Sequence, residues 1–385
     1  MKVIDPLTIT DAMLTSSTAI DTPPAAYASG TTYALNAPVS VAGAAGLYTL
    51  YKSLQDGNIG HAPATSPNWW AQCGTTYQVY NAGTTYALGD TVIDTTSGNH
   101  YIYESVVAGN LGNPLTDDTK WLEIGPTNRW AMFDLKRTTQ TIDADVVSAT
   151  DRELVVVITP GVRIDSLALL GMDAQSVSVK AHKPGYTNPS HSTIAGAAGT
   201  AYSALDPSLC YDSGTISLIK RETFNYYQYY FAGFKNNPSF AVFDIPPNTD
   251  NVITITLASK IGNVKCGACV IGLHQYIGDI QWQAESDALN FSTVTRNFDG
   301  GINAMVQRRS VPQTKQNLLL PKKYVNTVKV LRGALNGRPA VWCGLDDDSS
   351  NDYYEALLIL GFYTRFLITI NDAVEAVVNL ELEEI

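Results

Sequence analysis

Between Gly30 and Trp121 the chain carries the same segment twice. The first copy reads GTTYALNAPVSVAG, then LYTLYKSLQDGNIGHAP, then NWW. The second reads GTTYALGDTVIDTT, then HYIYESVVAGNLGNP, then KW. Gly30, Tyr33, Leu35 and Val39 recur 53 positions on as Gly83, Tyr86, Leu88 and Val92. Tyr51, Ser53, Gly57, Asn58 and Gly60 recur 52 positions on as Tyr103, Ser105, Gly109, Asn110 and Gly112. One residue is lost between the two matched stretches. So many ordered matches define a tandem module, which limits the front of the chain to two small bodies of one design.

At 385 residues the chain exceeds a single core, and the pattern divides it. Residues 1–27 are polar and run into TPPAAYAS (22–29), which reads as an N-terminal arm extended toward a partner. The repeats occupy 28–74 and 82–126, with a short bridge from about Cys73 to Ala82. From 127 to 280 come runs such as ELVVVITPG, SVSVKA and NVITITLAS, stopped by Pro160-Gly161, Pro184-Gly185 and Pro246-Pro247. Alternating Val, Ile and Leu with small polar residues predicts half-buried antiparallel strands and an all-β sandwich. The small-residue stretch Gly185 to Leu209 predicts an exposed loop. From 281 to 385 the reading is α+β, an assembly domain. Val325, Val328, Leu331 and Leu335 fall on one face of a short helix. AVWCGL, LLILGFYTRFLITI and AVVNLELEEI read as strands around it, and Arg365 makes the second of them two strands or one bent strand. The expected fold class is therefore mainly β. It comprises two small three-stranded modules in tandem, a sandwich, and a β-rich C-terminal domain with one short helix.

Charged residues are only 16% of the chain and the net charge is −11, which argues against a phosphate-neutralising nucleic-acid surface. The 21 tyrosines supply contact area with a polar tip, suited to wet interfaces and to stacking on sugars. Five cysteines without obvious pairing fit a reducing compartment better than a disulfide framework. The start lacks a basic region followed by a long apolar run, so no signal peptide is expected. Nor is there a run of about 18 apolar residues to span a membrane.

The remaining candidates for chemistry are weak. Cys266-Gly-Ala-Cys269 lacks a second pair for zinc, and residues three apart on a strand point to opposite faces, so two buried small hydrophobes are expected. The five histidines show no ligand spacing. The run Asp346 to Asp352 lacks the turn glycine and distal glutamate of a calcium loop and reads as a solvated acidic loop. No metal, no cofactor and no catalytic residue is assigned. Arg308, Arg309, Lys315, Lys322 and Lys323 form one basic cluster, either an intersubunit docking patch or a solvated face.

Each repeat has the order Gly, aromatic, Leu, Val, aromatic, Gly-Asn, Gly, Pro, Trp, and in this it resembles the small three-stranded chitin- and cellulose-binding modules. The resemblance implies sugar stacking through Tyr51, Trp69 and Trp70 in the first copy and through Tyr103 and Trp121 in the second. The competing reading is that so small a domain needs its aromatics for its own core, Tyr33, Tyr86 and one Trp per repeat above all. The modules would then be spacers or docking pads. VRIDSLALLG, SVSVKA, DNVITITLAS and CGACVIGLH resemble strands of the galactose-binding-like jelly roll, in motifs generic to β-sandwiches.

The opening MKVIDPLTITDAML, the junction GPTNRWAMFD (125–134), CGACVIG and LGFYTRFLITI resemble a group of tailed-bacteriophage virion proteins. That resemblance implies a non-enzymatic structural component of the tail (baseplate, tip or fibre), assembled in the host cytoplasm. Its partners would be other virion tail proteins and a host cell-surface glycan, and it would form a homo-oligomer, a trimer or hexamer. The alternatives are a glycan-degrading depolymerase with appended sugar-binding modules and a purely architectural adaptor.

Overall fold

The computed structural model describes residues 1–96, 98–146, 151–183, 209–220, 235–260, 262–345, 354–370 and 373–385. The protein is mainly β, as the alternation predicts. The expected loop at 185–208 and the acidic run 346–352 lie outside the described residues.

The two repeats form one six-stranded sheet. Strands Pro38–Ala42, Leu47–Ser53 and Trp70–Val79 make an antiparallel trio, and Thr91–Asp94, Tyr101–Ser105 and Trp121–Pro126 repeat it. The residues expected as a bridge prolong the third strand, and Gln78 and Val79 run parallel to Val92 and Ile93. Gly46 lies at this junction with φ +77°, where a Cβ would sit 2.5 Å from the Thr91 carbonyl oxygen. Only glycine accommodates both the left-handed backbone and that approach.

The sandwich is built from two sheets. One contains Arg152–Ile158, Val252–Ser259 and Ser176–His182. The other contains Ser239–Val242, Ser166–Leu170 and Ala268–Tyr276. Leu154, Val156, Ile255, Leu167, Leu169 and Ile271 meet between them in one core. The strand Ser166–Leu170 is buried on both faces: Leu167 and Leu169 enter this core, while Ala168 and Leu170 enter a second one. An unbroken apolar run is what such a strand requires.

The second sheet does not stop at the sandwich. It continues through Lys2–Pro6 into Ala340–Cys343, Leu358–Ile370, Glu375–Glu384 and Ser310–Pro321. This part curls around the helix Val325–Ala334, whose Val328 and Leu331 are buried, with Leu335 just beyond its end, against Trp342, Phe366 and Val378. Leu358–Ile370 is one strand with a register irregularity between Tyr363 and Arg365, the bent strand that the internal arginine suggested.

The segment expected as an extended arm pairs within its own chain. Lys2–Pro6 lies between Ala268–Tyr276 and Ala340–Cys343, with Val3 and Ile4 fully buried, and Leu14–Ser17 pairs with Arg152–Ile158. Six short residues with a proline look like a tail, because nothing nearby in sequence reveals strand partners some 270 and 340 positions away. No helix among the described residues is long and apolar enough to cross a membrane.

Candidate functional site: an aromatic platform on the first repeat

The duplication is preserved atom by atom in the repeat cores. Tyr27, Tyr33 and Trp70 form a ring cluster with centroid separations of 5.9, 5.9 and 5.2 Å. Tyr80, Tyr86 and Trp121 form its counterpart at 6.0, 5.7 and 5.3 Å. Asn58 Nδ2 donates to Ser53 Oγ at 3.0 Å and to the Trp69 carbonyl at 3.2 Å. Asn110 Nδ2 donates to Ser105 Oγ and the Lys120 carbonyl at the same two distances. Trp70 Nε1 donates to the His61 carbonyl at 2.8 Å, and Trp121 Nε1 to the Asn113 carbonyl at 3.1 Å. The glycines at 57, 60, 109 and 112 all have left-handed φ, so both connecting loops follow one path.

These contacts correct two of the expected sugar contacts. Trp70 and Trp121 are 3% and 2% exposed and are core residues, with no free ring face for a pyranose. Tyr103 is half-buried and packs beside Trp121 in the second core, where burial and then the Glu123 carboxylate push its phenol upward. Tyr51, on the strand Leu47–Ser53, is half-buried as well.

Trp69 is different. It is half-buried, as Tyr51 and Tyr103 are, but it stacks on the His61 imidazole at 3.8 Å between centroids and 11° between planes. The Trp69 amide donates to the Ser66 carbonyl at 2.9 Å, and its carbonyl accepts from Leu54 N at 2.9 Å, so the backbone beneath the indole is anchored on both sides. His61 Nδ1 lies 3.1 Å from Asn58 Oδ1, which orients the imidazole. By the shared hydrogen bonds, Trp69 and His61 correspond to Lys120 and Asn113. The ring cluster and its hydrogen bonds are kept, and the two positions that form the stacked pair are not. His61 escaped the sequence reading, although its signal was present: the first copy has His three residues after the shared Asn, where the second has Asn.

Ser166 Oγ lies 2.8 Å from His274 Nδ1, and Asp165 Oδ1 lies 2.9 Å from that same nitrogen. A nucleophilic triad needs the hydroxyl and the carboxylate on opposite ring nitrogens. His100 Nδ1 pairs with Asp21, whose carboxylate also accepts from Thr127 Oγ1, an arrangement that ties the second repeat to the junction. In the junction itself, Trp130, Met132 and Phe133 belong to the sandwich core. Cys266 and Cys269 were expected on opposite faces, yet both enter one core, because Gly267 interrupts the run and places them on separate strands. Burial pushes the Cys266 thiol up to about 12, and Cys269 also upward, so neither is a nucleophile. Within the basic cluster, Arg309 is engaged by Glu384 at 2.9 Å.

Compared with known proteins, the chain matches no family model and no curated protein.

Proposed function

We propose that this protein is a non-enzymatic structural component of a bacteriophage tail, and that its first repeat attaches to host-surface glycans through the Trp69–His61 platform. The observation that carries the glycan reading is the half-buried indole held flat on an imidazole, at two positions where the repeats differ. An indole face stacks on the C–H face of a pyranose, while neighbouring polar groups take the hydroxyls. A single small platform binds weakly, and several copies on one particle raise the effective concentration. The tail assignment rests on the resemblance carried by GPTNRWAMFD and the other quoted segments.

The test is a glycan array probed with the full chain displayed multivalently. Binding is expected, and Trp69→Ala should abolish it while leaving the thermal midpoint unchanged. No binding at particle-like valency would favour the architectural adaptor. Reducing sugar released from a host polysaccharide would favour the depolymerase.

A further inference from the structure

Residues 281–310 form a ribbon that the other described residues leave uncovered. Glu285–Asn290 pairs with the start of Ser310–Pro321, from Glu285↔Lys315 to Asn290↔Ser310. Thr293–Arg296 and Ile302–Val306 continue the same hairpin outward. Ser292 Oγ joins the two halves, accepting from Arg308 N at 2.9 Å. The turn closes with Asn297 N donating to the Gly301 carbonyl at 2.8 Å and with Gly300 at φ +85°. The body sheet follows the ribbon only as far as Gln313↔Glu383. Beyond that point both faces are exposed, and five of the ribbon's large side chains on them are aromatic or aliphatic. Trp282 is 93% exposed, Phe298 is fully exposed, and Phe291, Ile302 and Met305 are each more than half exposed. An isolated two-stranded hairpin is marginal in water, and a contiguous apolar surface marks an interaction site.

Two features say what covers it. At the ribbon's root lies an apolar recess of about 530 Å³, lined by Ile280, Trp282, Ala284, Leu345 and Leu357, with the exposed Ala356 at its wall. Phe298, at the far end of the ribbon, is fully exposed, so the tip does not occupy its own recess. Charge does not oppose a second copy as the occupant. Glu285, Asp287 and Asp299 balance Arg296, Arg308 and Arg309, so the ribbon is neutral while the chain carries −11. A neutral ribbon approaches an acidic body of the same kind without net repulsion. Its 30 residues also match one side of a standard protein interface, about 20–30 residues.

We infer that the ribbon binds a second copy of this chain head to tail, its Phe298 end seated in the recess at the root of the neighbour's ribbon. Contacts of this heterologous kind close into rings when the rotation permits. The inference goes beyond the glycan reading and does not use it: Trp69→Ala leaves this assembly intact.

Native mass measurement of the full chain tests it, with Phe298→Asp to spoil the tip and Ala356→Arg to fill the recess. Both residues are exposed, so folding is expected to be unchanged, with an unaltered melting transition as the check. The unaltered protein is expected to be oligomeric and each variant monomeric. An equal mixture of the two variants should give a discrete dimer, because one copy keeps a sound recess and the other a sound tip. A monomeric unaltered protein, or an oligomer surviving in either variant, would overturn the inference. A mixture that stays monomeric would overturn the head-to-tail geometry.

Discussion

Lys52 stands where the first repeat meets the sandwich, and its ammonium is nearly sealed from water. Its Nζ contacts Asp143 Oδ1 at 2.7 Å, Asp145 Oδ1, and the Thr18 carbonyl at 2.8 Å. Burial works against this charge, but Asp143 and Asp145 outweigh it and hold the amine protonated well above its ordinary value. Glu153 is buried beside them. Burial, with the neighbouring carboxylates adding to it, pushes Asp145 and Glu153 up to about 7. These two groups keep a proton in the folded state at pH values where the unfolded chain has lost it. The stability they contribute is therefore complete below the ordinary carboxylate range and is lost as pH rises toward about 7. Urea unfolding across this window should show the decline. Glu153→Gln should make it shallower, leaving the Asp145 part, and raise stability above neutrality by roughly 1–3 kcal/mol. Lys52→Met should cost about 3–5 kcal/mol, since it strands buried carboxylates. The aromatic residues divide in the same manner: Trp121→Ala should cost about 3–5 kcal/mol, whereas Trp69→Ala should cost little stability.

At the scale of the element, the repeats are one solution used twice. Asn58 and Asn110 each satisfy a buried serine hydroxyl and a backbone carbonyl at identical distances. Asn58→Ala and Asn110→Ala should therefore destabilise their modules by similar amounts, about 1–3 kcal/mol, measured by denaturant unfolding. A large inequality would mean that the modules depend on different surroundings. The joint between them hangs on Gly46, whose carbonyl accepts from Gln78 N at 3.0 Å, while its neighbour Ala45 accepts from Thr91 N at 3.0 Å. Gly46→Ala should open this joint, with faster hydrogen exchange at the Gln78 and Thr91 amides and unchanged exchange in the sandwich.

Across the whole molecule, the strand Lys2–Pro6 is the seam. Val3 faces the C-terminal core with the helix, and Ile4 faces the core shared with Ala168, Val341 and Leu360. A strand hydrogen-bonded to the sandwich on one edge and to the curled sheet on the other couples the two bodies into one cooperative unit. Ile4→Ala, at a fully buried site, should cost about 2–5 kcal/mol. It should lower a single calorimetric transition for both bodies; separate transitions would show that the seam does not couple them.

The tandem copies, the β class and the buried face of the helix were legible because each is written in neighbouring residues, as identity or as period. The bent strand was legible from one misplaced arginine. Two questions depended on residues far apart: which aromatic rings are core and which are surface, and whether the first six residues are a tail or a central strand. Trp69 and Trp70 are adjacent in the chain and opposite in role, because Trp70 alone faces Tyr27 and Tyr33 while Trp69 turns onto His61. Periodicity encodes which way a side chain points relative to its own backbone. Only the assembled chain decides what, if anything, is waiting there.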